Sequence, residues 1–295
     1  MKKYKILIPV YNDWKSVIKL LENVDLQIIN WEAEVSVLII NDASTEKQSE
    51  NLFKFKKIKS IQVINMKINQ GHARCNAAGL KYLVENEDFD YVILMDGDGE
   101  DRPEELTSLF NKSKENPSNT ITANRVKRSE SFFFKLMYAC HKILTYVFTG
   151  KLIKFGNYSC LPKTDAAKLV KDPCIWSSFS GSVAKIIINR MSVPSIRGQR
   201  YFGPSQMNLF KLLIHSFSII AVFKKSVIIR SAIFLIIYLS LIFKNLSFVK
   251  LFPVIVLLVF LFIIFRVSSR ENLVELNNSL KNIDNVSTLG NLNDR

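Results

Sequence analysis

Cysteine is scarce and unpaired in this sequence. Cys75, Cys140, Cys160 and Cys174 lie far apart with no C-x-x-C among them, so they outline neither a zinc site nor a disulfide framework and read as reduced thiols. Only three histidines occur, His72, His141 and His215, too scattered for a metal-ligand spacing. The first apolar run is not followed by G-x-G-x-x-G, and G-x-x-x-x-G-K-[ST] is absent. A Rossmann dinucleotide site and a P-loop are thereby disfavoured. Met1-Lys2-Lys3 leads straight into a strand pattern, without the apolar region a signal peptide needs. The most informative absence is of acid: no Asp or Glu stands between Asp172 and Glu271.

Positive charge is plentiful. Lys and Arg number 40 against 26 Asp and Glu, a formal net charge of +14 over 295 residues. That excess suits nucleic acid, an anionic membrane surface or a phosphorylated substrate. No basic recognition helix, zinc finger or RNA-binding signature accompanies it, so nucleic acid is the weakest of the three.

The first half alternates strand and helix patterns. Strands are expected at residues 4–10 (YKILIPV), 35–40 (VSVLII), 61–66 and 91–95. Helical spacing covers 13–26, with Asp13 as a cap, and a loop and helix cover 69–84. Connections of this length imply a parallel sheet with helices on both faces, with ligands at the carboxyl ends of the strands. Asp13, Asp42, Asn69 and Asp96 fall at or just beyond such ends. Each alone is a helix cap as readily as a ligand; their common edge favours one cleft.

The stretch YVILMDGDGEDRPEE (91–105) is the centre of this half. A buried strand is followed within six positions by Asp96, Asp98, Glu100 and Asp101, spaced by Gly97 and Gly99, with Pro103 opening a helix. Crowded carboxylates repel unless a cation lies between them, and hard oxygen donors suit Mg²⁺ or Mn²⁺. A solvated acidic turn is the bland alternative for Asp-x-Asp taken alone.

Four ordered motifs, IPVYND (8–13), IINDAS (39–44), NQGHARCNAAG (69–79) and MDGDGEDRPEE (95–105), resemble the series of the family 2 glycosyltransferases. The resemblance covers about the first third of the chain. It implies the GT-A (nucleotide-diphospho-sugar transferase) fold and a divalent metal, Mg²⁺ or Mn²⁺. It also implies that Pro9, Tyr11, Asp13 and Asp42 hold the nucleoside and that Asn69, Gly71 and Arg74 lie near the nucleotide. Asp96 would sit near ribose and metal, and Asp98 would be the main metal ligand; Glu100 could also coordinate. Asn41 stands where Asp is common, and Ala43 where Gly is common.

Beyond these motifs, residues 119–126 read as a fifth strand ending at Arg125, near Lys127 and Arg128, a basic patch suited to phosphate. An apolar helix over 129–150 is either buried under the sheet or partly in contact with lipid. A strand over 155–161, a helix over 165–170 and a helix over 176–191 follow. Residues 205–223 carry one narrow polar stripe, as an interfacial helix does. Segments 226–243 and 248–265 are apolar all round and near the lower length limit for crossing a membrane. Basic flanks Lys224, Lys225, Arg266 and Arg270 favour the cytoplasmic side. Residues 266–295 read as a polar, mobile tail.

The acid-free half suggests an acceptor that needs no base. A hydroxyl nucleophile must lose a proton, usually to a carboxylate, whereas a phosphate oxygen is already ionised and is held by arginine. Asp101 and Asp165 are the upstream candidates if a base is needed. R-x-x-G-x-S at Arg200, Gly203 and Ser205, followed by two apolar helices, resembles the polyprenyl-phosphate glycosyltransferase branch, the dolichol-phosphate mannose synthase-like group. Gln206 stands where many of its members carry Lys.

The expected architecture is thus an α/β GT-A catalytic domain over 1–202, with a mostly parallel sheet. A juxtamembrane helix (203–225), a transmembrane hairpin (226–265) and the tail (266–295) complete it. The expected activity is inverting transfer of a sugar from a nucleotide-diphosphate sugar to a polyprenyl phosphate, at the cytoplasmic leaflet of the plasma membrane. Asp96 and Asp98 are the catalytic pair, and Arg125, Arg200 and Ser205 hold the acceptor phosphate. A hydroxyl acceptor on a lipid-linked glycan or envelope polysaccharide, a non-catalytic nucleotide-sugar binder and a nucleotidyltransferase remain alternatives, as does self-association into a homo-oligomer.

Overall fold

A computed structural model describes residues 1–46, 55–127, 132–204 and 209–289. These residues form an eight-stranded sheet ordered β7-β5-β6-β4-β1-β2-β3-β8. The motif-bearing strands β1 (Lys2–Val10), β2 (Ala33–Asn41), β3 (Ile58–Met66) and β4 (Tyr91–Leu94) are mutually parallel. β6 (Phe155–Pro162) runs antiparallel to both β4 and β5 (Thr120–Lys127), while β7 (Arg190–Ile196) is parallel to β5. The ends Val10, Asn41 and Leu94 therefore share one edge with the end of β5 and the start of β6.

Continuous apolar runs form these strands because both sheet faces are covered. Ile6 and Ile8 of β1 face the core that α1 (Trp14–Gln27) and α3 (Leu106–Glu115) complete. Leu7, between them, faces the core of α2 (His72–Asn86), α5 (Lys163–Leu169) and α6 (Phe179–Ile186). On α1 the buried side chains Trp14, Val17, Leu20, Leu21 and Val24 keep helical spacing. Cutting the fully buried Leu20 to Ala would cost about 2–5 kcal/mol.

Two expectations require correction. The helix expected over 176–191 ends early: α6 stops at Ile186, and Arg190–Ile196 is strand β7. β7 is an edge strand, where Pro194 is tolerated. The tail is likewise not free over its described part. It forms α10 (Leu273–Asn277) and β8 (Ile283–Leu289), which pairs antiparallel with β3. The open edge of β3 needs partners for its backbone groups, and β8 provides them. Side chains strengthen the join: Asn41 Nδ2 donates to Asn65 Oδ1 (2.7 Å), and Asn65 Nδ2 to Asn285 Oδ1 (2.8 Å). Asn285 of the tail thus ends an amide ladder that begins at Asn41.

α4 (Phe132–Thr149) and α7 (Leu209–Ala221) pack on α8 (Lys224–Ile242) and α9 (Phe248–Ser268). α4 exposes Ile143, Tyr146 and Val147, so it is not buried under the sheet. At about 1.5 Å per residue, α8 and α9 are roughly 29 and 32 Å long, near the ~30 Å thickness of a bilayer core. They are long and apolar enough to cross a membrane, and only 11% of each most apolar window is buried. Residues 205–208, the start of the expected interfacial helix, lie outside the described residues.

Candidate active site

Three loops converge at the common strand edge. Asp42 N–H donates to the Val10 carbonyl (2.9 Å). Asn12 Oδ1 accepts from the N–H groups of Thr45 (2.8 Å) and Glu46 (3.0 Å). The loops after β1 and β2 are thus laced together, with Asn12 (φ 49°) and Ala43 (φ 57°) in left-handed conformations. Asp42 Oδ1 and Oδ2 accept from the N–H groups of Gln70 (2.9 Å) and Gly71 (2.8 Å). Burial pushes the Asp42 carboxyl up, and these two hydrogen bonds oppose the rise. Gly71, at φ 91°, is the residue that lets the chain turn here into α2.

The acid loop 96–101 closes the cleft. His72 Nε2–H donates to Asp96 Oδ1 (3.0 Å), and Asn157 Nδ2 donates to the same oxygen (3.3 Å). Burial works against ionisation of Asp96, but His72, Arg125 and Asn157 outweigh it and hold the carboxyl below the usual range. Burial, together with the charges of Asp96 and Glu100, pushes Asp98 up to about 6. Burial and Asp96 push Asp101 up to about 7. Asp101 is only 4% exposed; its Oδ2 accepts Asp96 N–H (3.0 Å), and Arg125 lies 3.8 Å from its Oδ1.

Residues 197–201, just after β7, are strapped along this loop. Gly198 N–H donates to the Glu100 carbonyl (2.8 Å), and Tyr201 N–H to the Asp98 carbonyl (2.9 Å). The Tyr201 ring rests on Gly99, where a Cβ would lie 2.6 Å from it. Arg197 pairs with Glu100. Arg200 spans two loops, with Nη1 2.6 Å from Asp98 Oδ2 and Nη2 2.6 Å from Asp13 Oδ2. Arg200 Nε is buried without a hydrogen-bond partner among the described residues.

The geometry thus gathers Asp13, Asp42, Gly71, Asp96, Asp98, Glu100, Arg125 and Arg200 around one edge. Asp13 stands at the N-cap position of α1, yet its carboxylate makes no cap hydrogen bond and turns to Arg200 instead. Tyr11 is half exposed, Asn69 is exposed and Pro9 is buried within β1. Arg74 points elsewhere: it pairs with Glu275 of α10 (3.2 Å) and stacks on Trp176, whose Nε1 also donates to Glu275 (2.8 Å). Ser205 lies outside the described residues. Sequence reasoning placed His72 and Asn157 in no role. His72 falls inside the NQGHARCNAAG motif, a signal that was available; Asn157 had none. The alternation that makes Arg197 and Arg200 neighbours of the acid loop is tertiary.

The donor set suits a hard divalent cation: burial, and then repulsion from Asp96 and Glu100, raise Asp98. Arg200 supplies the balancing charge in this structure, and among the described residues no three His, Cys, Asp or Glu side chains are arranged around a metal position. Asp96 and Asp98 are the residues that would hold the ion, once the Arg200 contact on Asp98 Oδ2 is released.

The sequence profile described as "Glycosyl transferase family 2" matches residues 5–171. The fold is similar to glucosyl-3-phosphoglycerate synthase from Mycobacterium tuberculosis, solved with Mn²⁺, UDP-glucose and phosphoglyceric acid. That likeness has a TM-score of 0.54 at 11% identity and covers 77% of this chain and 80% of that one. Mannosyl-3-phosphoglycerate synthase from Rubrobacter xylanophilus gives 0.52 at 10% identity, covering 75% and 72%. Residues 1–349 of TarS from S. aureus give 0.48 at 15%, with 76% of this chain matched to 65% of that chain, just under two thirds of its length. At these identities the two synthase likenesses, both above a TM-score of 0.5, speak for the fold alone, which is GT-A.

Proposed function

The chain belongs to glycosyl transferase family 2, and from that membership we propose that it is a membrane-anchored, metal-dependent transferase moving a sugar from a nucleotide-diphosphate sugar to a polyprenyl phosphate. The observation that carries the acceptor class is the fate of the upstream base candidates. Asp101 is buried and engaged on both oxygens. Asp165 is also buried, taking Thr120 Oγ1 (2.8 Å) on one oxygen and Lys168 Nζ (2.8 Å) on the other. The segment that lies against the acid loop brings arginines instead. An ionised phosphate oxygen attacks the anomeric carbon as the bond to the donor diphosphate breaks, and no proton has to move. The most direct course is inversion.

In this reading Tyr11, Asp13, Asp42, Asn69 and Gly71 line the donor side. Asp96 and Asp98 would hold Mg²⁺ or Mn²⁺, which when bound neutralises the leaving diphosphate. Arg125 and Arg200 add fixed positive charge, and the unpartnered Nε of Arg200 is suited to an anion. α8 and α9 anchor the chain, with Lys224, Lys225, Arg266 and Arg270 at the base of the hairpin on the cytoplasmic side of the plasma membrane.

The test is sugar transfer on membranes, with radiolabelled nucleotide sugars and a panel of prenyl phosphates, followed by lipid extraction. Label should enter the organic phase only when a prenyl phosphate is supplied, and the chain should stay in the pellet after a carbonate wash. Label confined to a glycan, with prenyl phosphate without effect, would favour the hydroxyl acceptor.

A further inference from the structure

An open groove of about 470 Å³ runs between α4 and α8. Val147, Ile229, Arg230, Ile233 and Phe234 line it. Its four apolar side chains are each about half exposed. Ile229 with Ile233, and Arg230 with Phe234, stand four apart and so form two adjacent rows on one face of α8.

Arg230 is the exception in this lining. Its Nη1 donates to the Val147 carbonyl (3.2 Å), and its guanidinium crosses Gly150, where a Cβ would lie 2.5 Å from Nη2. Among the described residues no carboxylate pairs with it, consistent with a sequence free of acid from 173 to 270. The residue sits six positions into α8, about 9 Å from the helix start, at a depth from which a long side chain reaches the interface. Its guanidinium is exposed beside the apolar lining, and phosphate matches its planar fork.

We propose that this groove binds an anionic phospholipid of the bilayer, its phosphate on the Arg230 guanidinium and one acyl chain along Ile229, Ile233 and Phe234. The proposal rests on the membrane reading of α8 and α9. Such a lipid touches both α4, which follows β5 of the catalytic sheet, and the hairpin, and so ties one to the other.

The experiment is thermal unfolding of the full-length protein in neutral detergent. Phosphatidylglycerol is compared with phosphatidylcholine of the same chains, with a prenyl phosphate and with inorganic phosphate. Phosphatidylglycerol should raise the midpoint by several degrees over phosphatidylcholine. Arg230→Gln should abolish that increment and Arg230→Lys should keep part of it. Ile233→Trp, which fills the groove and leaves the charge, should also abolish it. Transfer activity of all three variants in detergent should stay near that of the wild type. An unchanged increment in Arg230→Gln overturns the proposal. Protection by prenyl phosphate alone, or equally by inorganic phosphate, also overturns it, the first assigning the groove to the acceptor and the second to a free anion. A chain that leaves the pellet in carbonate refutes the membrane reading, and this proposal with it. A pelleting chain indifferent to phosphatidylglycerol refutes only the groove.

Discussion

The two ends of the acid loop are held by different parts of the chain, and they differ in charge state as a result. The Asp96 end rests on the catalytic sheet and its α2 helix, through His72, Asn157 and Arg125, and stays ionised below the usual carboxylate range. The Asp98 end, two residues on, is opposed by burial and by two neighbouring carboxylates. Glu100 N–H and Arg200 are its main support, and its pKa is about 6. Residue type is the same in both places. Asp96 is a fixed anion, and Asp98 is an anion only while a cation or a pH above 6 keeps it so.

Removing the responsive end should have the largest effect. Asp98→Asn keeps the shape and the acceptor for Glu100 N–H but loses the charge, and transfer should fall by at least ~100-fold. Activity near wild type, with EDTA sensitivity intact, would take the metal role away from Asp98. Next, Arg200→Ala removes a cation that favours ionised Asp98. The Asp98 pKa of the metal-free protein must then rise, so the acid limb of metal binding against pH should move upward from about 6. The lost contacts to two carboxylates and to an anionic ligand should cost about 1.5–3 kcal/mol, roughly 10- to 150-fold in kcat/KM. Lysine should restore part of this, keeping the charge without the fork. An acid limb that stays in place would show that Arg200 and Asp98 are not coupled. The smallest effect is expected at the fixed end. His72→Gln takes the imidazole from Asp96 but leaves Arg125 and Asn157, so about 1 kcal/mol, or ~5-fold, should be lost. A loss as large as that of Asp98→Asn would reverse the ranking of the two ends.

Much of the first half was legible because its signals are local. Apolar runs marked β1 to β4, and the positions just beyond them carried Asp13, Asp42 and Asp96. Asp13 looked like a cap because caps are local too; its partner, Arg200, is 187 residues away. Arg74 lies in a motif yet serves the join to α10, since Glu275 and Trp176 meet it only in the folded chain. β7 was hidden because its sequence, RMSVPSI, carries a proline and only weak alternation.

The sequence by itself determined the family, the strand edge where the site lies, the acid loop and the two helices apolar enough for a bilayer. Periodicity and composition act within a few residues, and each of those features is written in a contiguous stretch. The tertiary structure decided which charges meet: Arg200 on Asp13 and Asp98, His72 and Asn157 on Asp96, and Asn285 against Asn65 in a strand that composition marked as tail. Such pairs are selected by sheet order and by the burial of unpaired backbone and charge, and no short stretch of sequence contains both partners.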